Sequence, residues 1–78
     1  MEKKILYYFG NAIRHLRTEM GLSQEQFAEK CGLHRTYIGQ IERGERNPSL
    51  INIEKFSLAC DIELSKLFEI CEQLKQLK

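Results

Sequence analysis

Apolar residues recur along this chain at the spacing of amphipathic helices, and glycine, proline and capping residues separate the repeats. The spacing i, i+3, i+4, i+7 predicts a first helix over residues 3–20, which ends at Gly21. Its apolar stripe consists of Ile5, Leu6, Phe9, Ala12, Ile13, Leu16 and Met20. Gly10 lies inside this helix at a cost of about 1 kcal/mol relative to Ala. Close packing against another helix would explain it, but the sequence does not show that contact.

The most informative stretch covers residues 23–43. Ser23 is followed three residues later by Gln26, which is the pattern of a capping box at a helix N-terminus. Gly32 predicts the end of that helix, because glycine adopts the left-handed conformation at little cost. A further helix begins two or three residues later. The sequence therefore predicts two short helices joined by a tight turn, a helix-turn-helix.

The predicted third helix has a polar surface that favours DNA recognition. At 100° per residue, its apolar arc consists of Tyr37, Ile38 and Ile41. The opposite arc consists of Arg35, Thr36, Gly39, Gln40 and Arg43. Arg can bind guanine O6 and N7, Gln can pair with adenine, and the Thr methyl can contact thymine. The alternative is an ordinary solvated face, but such a face would be expected to carry Glu and Lys at several of these positions.

Two more helices are predicted after a loop at residues 44–48. Ser49 caps a fourth helix that extends to about residue 60, with inward residues Leu50, Ile53, Phe56 and Cys60. A fifth helix covers about residues 64–77, and its apolar surface is broad. That surface either wraps the domain or serves self-association, and we favour self-association. The predicted dimer interface consists of Ile51, Leu58, Leu67, Ile70, Leu74 and Leu77.

Composition limits the class of protein. With 78 residues and one Pro, the chain is expected to be a single all-α domain over residues 1–78. Its net charge is only +1, but all five arginines lie within the first 46 residues. The three cysteines have no metal-ligand spacing and are expected to be buried and reduced. No signal peptide, membrane span, catalytic constellation or cofactor motif is readable, so we expect a cytoplasmic binding protein without cofactors, not an enzyme.

The run LSQEQFAEKCGLHRTYIGQIERGERNPSL resembles the XRE-type (lambda repressor/Cro-like) helix-turn-helix family over about residues 9–68. More narrowly, HRTYI and the single terminal helix resemble the controller proteins of restriction–modification systems. The resemblance implies a five-helix lambda-repressor-like fold and a homodimer on pseudo-palindromic operators. It implies base-edge contacts by Arg35, Thr36, Gly39 and Gln40. Together with the residue chemistry, it predicts backbone or flanking DNA contacts by Arg17, Gln24, His34, Tyr37, Arg43, Arg46, Asn47 and Asn52.

The function implied by this resemblance is a transcription regulator that binds double-stranded DNA and controls its own operon and an endonuclease gene. A phage or host repressor of the same family is an alternative. A further alternative is an antitoxin or adaptor that acts mainly through protein–protein contact. Activation would require a surface that contacts RNA polymerase; Glu25 and Glu29 could supply one, although a solvated face explains them equally well. No small-molecule effector site is evident.

Overall fold

The structure is a computed structural model that describes residues 4–76. Within that range the chain forms five helices and no strand. These are α1 (Lys4–Glu19), α2 (Gln24–Cys31), α3 (Arg35–Glu42), α4 (Leu50–Ala59) and α5 (Leu64–Gln76). The all-α, five-helix prediction is confirmed, with α2 and α3 as the helix-turn-helix.

Local capping explains where the short helices begin and end. The Ser23 hydroxyl accepts from the backbone N–H of Gln26 at 3.1 Å, and the side-chain oxygen of Gln26 accepts from the backbone N–H of Ser23 at 2.9 Å. This pair of hydrogen bonds confirms the capping box. Gly32 ends α2 in the left-handed region with φ of 73°. At the start of α4, the Ser49 hydroxyl accepts from the Asn52 amide at 3.1 Å. These contacts satisfy backbone groups that helix ends otherwise leave unpaired.

The core is built around Phe56, which lies between aromatic rings from two other helices. Its ring centroid is 6.0 Å from that of Phe9 on α1 and 6.2 Å from that of Phe27 on α2. Fully burying one such side chain contributes roughly 1.5–3 kcal/mol. Helix α1 packs against α3 and α5, and α2 packs against α3 and α4. The core thus holds α3 against α1 while leaving its other face open.

Gly10 marks the closest approach between α1 and α3. A Cβ atom at this position would lie 2.8 Å from the Glu42 carbonyl oxygen and still closer to the Ile41 carbonyl oxygen. Both neighbours are backbone atoms at the end of α3, which cannot move aside as a flexible side chain can. The helix-propensity cost at Gly10 is therefore offset by the close packing of α1 against α3.

Several side-chain orientations differ from the predictions. Leu50, predicted to face inward, is exposed, because α4 contacts the core from Ile53 onward, through Ile53, Phe56, Ser57 and Ala59. The prediction that Leu67 lies in the dimer interface is wrong, because Leu67 is fully buried within the domain.

Two other residues of the predicted dimer interface, Ile70 and Leu74, also contact the core of their own domain, and their contact with a second chain stays a prediction. Both are half-buried, so this stripe of α5 largely wraps its own domain. The predicted contact by Leu77 lies outside the described residues.

All three cysteines are buried free thiols, in agreement with the expectation. Burial raises the pKa of Cys31 to about 12, with a smaller contribution from Cys60, and burial raises the pKa of Cys60 to about 11. Burial likewise raises the pKa of Cys71. The thiolate is the reactive form, and these raised pKa values keep the thiols protonated and unreactive at neutral pH. Among residues 4–76, no helix is long and apolar enough to cross a membrane.

Candidate nucleic-acid interface

The N-terminus of α3 presents exposed polar side chains on a capped turn. His34 is the N-cap, and its Nδ1 accepts from the Thr36 amide at 3.1 Å. This bond requires an unprotonated Nδ1, so the neutral ring caps the helix and leaves Nε2 as its donor. Arg35 and Thr36 are both exposed. No described residue forms a hydrogen bond or ion pair with the Arg35 guanidinium, which leaves its donors available.

A chain of contacts joins α3 to the following loop and to α4. Asn52 Nδ2 donates to the Tyr37 hydroxyl at 3.0 Å, and the Arg46 guanidinium lies over the Tyr37 ring, 5.1 Å from its centroid. Arg46 Nη1 in turn donates to Gln40 Oε1 at 3.0 Å. The structure therefore brings four predicted DNA-contact residues into one connected group. The exposed Asn47 lies in the same loop.

Besides Gln40, two further residues on the polar arc of α3, Arg43 and Gly39, are engaged within the protein. The Arg43 guanidinium pairs with the Glu45 carboxylate at 2.9 Å, which holds the pKa of Glu45 below its ordinary value and raises that of Arg43. Gly39 is buried, and a Cβ atom there would lie 3.2 Å from Arg43 Nη1 and 3.6 Å from Gln24 Oε1. Gly39 thus makes room for the protein's own side chains and has little surface of its own to offer a base.

The buried carboxylate of Glu42 fixes the end of α3 to α1 and α2. It accepts from Arg17 Nε at 2.6 Å and Nη2 at 3.0 Å, and from Gln24 Nε2 at 3.0 Å. Arg17 also donates to the Leu22 carbonyl at 2.9 Å. The hydrogen bonding that Arg17 donates to the Glu42 carboxylate raises the pKa of Arg17.

This network changes the interpretation of Arg17 and Gln24. Both were predicted to contact the DNA backbone, but the structure gives each an internal partner, and only 14% of the Arg17 side chain is exposed. The role of Glu42 as the acceptor for side chains of α1 and α2 was not predicted. The only sequence signal was an acidic residue inside an otherwise basic, polar helix end.

A second surface, on α4 and the start of α5, is apolar. Leu50, Ile51 and Leu58 are exposed by 73%, 69% and 70%. Leu50 and Ile51 line a shallow groove with Leu64, and Phe68 follows Leu64 one turn later on α5. We call the set Leu50, Ile51, Leu58, Leu64 and Phe68 the α4–α5 apolar surface. Of the residues predicted to form the dimer interface, this surface contains Ile51 and Leu58; Leu50, Leu64 and Phe68 were not among those predicted.

Comparison with known proteins identifies the family. The helix-turn-helix family model HTH_3 matches residues 13–67. The control protein C.BamHI of Bacillus amyloliquefaciens is 44% identical over 81 residues, an alignment that covers 96% of this chain and 100% of the relative. The crystal structure of the restriction-modification controller protein C.AhdI from Aeromonas hydrophila is similar with a TM-score of 0.77 and 53% identity, over 80% of this chain and 94% of that one.

A further solved structure is the tetramer of the restriction-modification controller protein C.Esp1396I in complex with its natural 35 base-pair operator. It is similar to this chain with a TM-score of 0.83 and 31% identity, over 90% of this chain and 92% of that one. Both the similar sequences and the similar structures thus agree with the geometry of α2 and α3. The chain belongs to the helix-turn-helix family and, within it, to the restriction–modification controller proteins.

Proposed function

We propose that this protein is a sequence-specific DNA-binding transcription regulator that acts as a homodimer on pseudo-palindromic operators. The observation that carries the proposal is the open face of α3, where Arg35 and Thr36 are exposed on a capped turn fixed against α1. Its targets are the promoter of its own operon and that of an endonuclease gene. It acts in the cytoplasm by binding, without a cofactor, and residues 1–78 form one functional domain.

In this proposal α3 enters the major groove. Arg35 binds a guanine edge and Thr36 contacts the neighbouring base, while His34 Nε2 donates to a phosphate. Asn47 lies in the loop before α4 and Asn52 in the first turn of that helix, and a helix N-terminus favours phosphate. A single phosphate contact from an arginine contributes about −0.9 to the slope of log affinity against log salt.

The α4–α5 apolar surface supplies the contact between two copies. Exposed leucine and isoleucine side chains at adjacent positions favour association, because burying apolar area contributes roughly 25 cal/mol per Å². The described part of the chain measures 30 × 23 × 22 Å. Two such bodies placed side by side can present their α3 helices to half-sites separated by one DNA turn, about 34–36 Å.

The test is a gel-shift titration on the DNA upstream of the protein's own gene, with random competitor and two salt concentrations. A discrete shift that survives competitor, at two chains per site or a multiple of two, supports the proposal. Smearing that competitor abolishes at every tested promoter contradicts it.

Arg35→Ala refines this test. We expect it to weaken operator binding by about 1–3 kcal/mol and to relax selectivity at one base pair. The matched control is Lys66→Ala, which removes a cation on α5 that pairs with Glu69 at 3.8 Å. If both variants bind the operator equally well, α3 is not the reading helix.

The α4–α5 apolar surface also leaves the adaptor or antitoxin alternative open to a direct measurement. Sedimentation of the pure chain distinguishes the two functions. A homodimer that dissociates on dilution accounts for the surface, whereas a monomer at high concentration favours a different protein partner.

A further inference from the structure

The position of Arg46 determines what Gln40 can present to DNA. Arg46 belongs to the loop after α3, yet it is held on α3 from two sides. Its guanidinium lies 5.1 Å from the centroid of the Tyr37 ring, and its Nη1 donates to Gln40 Oε1 at 3.0 Å. Tyr37 is itself held by Asn52 at 3.0 Å. These contacts fix the guanidinium beside the tip of Gln40 before any DNA is bound.

The chemistry of the two side chains assigns the orientation of the amide. A guanidinium carries only donors, so the amide atom that faces Arg46 must be the oxygen of Gln40. The amide nitrogen of Gln40 therefore points away from Arg46. The pair presents as donors the NH₂ group of Gln40 and the N–H groups of Arg46 that do not face Gln40, and Arg46 already occupies one of the two lone pairs of Gln40 Oε1.

A glutamine that reads adenine needs both its NH₂ donor and its carbonyl acceptor. It donates to N7 and accepts from the N6 amino group. In this chain the accepting oxygen already has a charged donor, and hydrogen bonds with an ionised partner are roughly twice as strong as neutral ones. An adenine N6 amino group would also meet further donors from Arg46. Guanine offers the matching pattern, because its N7 and O6 are both acceptors.

We infer that Arg46 determines which base Gln40 reads, and this inference rests on the proposed function. The Gln40–Arg46 pair reads guanine, whereas Gln40 alone would read adenine. This revises the expectation from residue chemistry alone, in which Gln40 pairs with adenine. Arg46 is thus a specificity-determining residue that acts from outside the recognition helix, and Tyr37 and Asn52 hold it in place.

The experiment is a selection of binding sites from random duplex DNA, followed by gel-shift titration of single base-pair variants. Comparison of the wild type with Gln40→Ala locates the base pair that Gln40 reads, because discrimination is lost there. At that pair the wild type is expected to prefer G·C over A·T by about 5- to 150-fold, the range for one bidentate contact. Arg46→Ala frees the Gln40 oxygen and is expected to reverse the preference to A·T.

Arg43→Ala is the matched control, since Arg43 carries the same charge in the same loop but pairs with Glu45. It is expected to keep the G·C preference. If Arg43→Ala and Arg46→Ala change the preference equally, the effect is one of charge and the inference is overturned.

Three further outcomes decide the matter. An A·T preference of the wild type at the Gln40 base pair overturns the inference, even if Arg46→Ala binds too weakly to be titrated. A selection in which Gln40→Ala changes no position also overturns it. Failure of the proposed function has a different signature, because the wild type would then select no consensus at all.

Discussion

Replacement of Glu42 by Ala tests how α3 is held. The Glu42 side chain is only 1% exposed and forms a short ion pair with Arg17, whose side chain is 14% exposed. Arg14 adds a longer contact at 3.8 Å from the exposed side. In Glu42→Ala the Arg17 guanidinium would keep the Leu22 carbonyl as its acceptor but would lose the carboxylate. The side-chain amide nitrogen of Gln24 would also lose its acceptor.

The expected cost follows from that burial. Removing one partner of a buried ion pair costs about 3–5 kcal/mol, since the other charge remains without compensation. We expect the low end, about 3 kcal/mol, for two reasons. Arg17 is not fully buried, and a carboxylate at the C-terminal end of a helix opposes the helix dipole by about 0.3–1 kcal/mol. A chain of this length has a free energy of unfolding of about 4–12 kcal/mol, so the loss is a large fraction.

The assay is urea unfolding followed by far-UV circular dichroism. With a slope of about 1 kcal/mol per molar urea, typical of a small domain, the midpoint should fall by about 3 M. All variants are compared at one protein concentration, because association stabilises the folded chain. The matched control is Glu45→Ala, which removes a carboxylate from the exposed Arg43–Glu45 pair and should change the midpoint little.

A double variant separates the buried charge from simple loss of contacts. Arg17→Met with Glu42→Leu removes both charges and keeps apolar volume, so it should recover most of the stability lost in Glu42→Ala. Equal midpoints for Glu42→Ala and Glu45→Ala would refute the reasoning. So would a double variant that is no more stable than Glu42→Ala.

Three other predictions follow from the packing. Gly10→Ala should lower the free energy of unfolding by about 1–3 kcal/mol in urea titrations, because the added Cβ would overlap the Ile41 carbonyl. This cost outweighs the higher helix propensity of Ala, and a gain in stability would contradict the close approach. Leu58→Glu should weaken both dimerisation, measured by sedimentation, and operator binding by at least about tenfold. The far-UV circular dichroism spectrum should not change, because Leu58 is exposed. Full-strength binding by a monomer would argue against the proposed interface. Stability should decline as pH rises from 9.0 toward about 11–12, because the raised pKa values of Cys60 and Cys31 make the folded chain keep protons that the unfolded chain loses. Alkaline denaturation of Cys31→Ala should show a smaller decline over that interval.

Much of the fold was predictable because its signals are local. The capping box at Ser23, the left-handed Gly32 and the cap at Ser49 all depend on atoms within a few residues of one another. Helical periodicity acts over the same short range. These features predicted five helices and the exposed start of α3 at Arg35 and Thr36 without any knowledge of how the helices pack.

Residues that act between helices were less predictable. A periodic stripe shows which side of a helix is apolar, but it does not show how far along the helix the core extends. Leu50 therefore lies in solvent although it belongs to the apolar side of α4, and Leu67 lies in the core although it was expected to contact a second chain.

Local signals in the sequence predicted the family, the five helices, the turn between α2 and α3 and the residue types on the polar face of α3. Which of those side chains lack partners within the protein became clear only from the packing of the helices. Glu42 engages Arg17 from 25 residues away, and Arg46 reaches back six residues to Gln40 around the end of α3. The physical reason is that caps and periodicity are set by neighbours in sequence. Hydrogen-bond partners across helices depend instead on interhelical distances, and those arise only when the whole core packs.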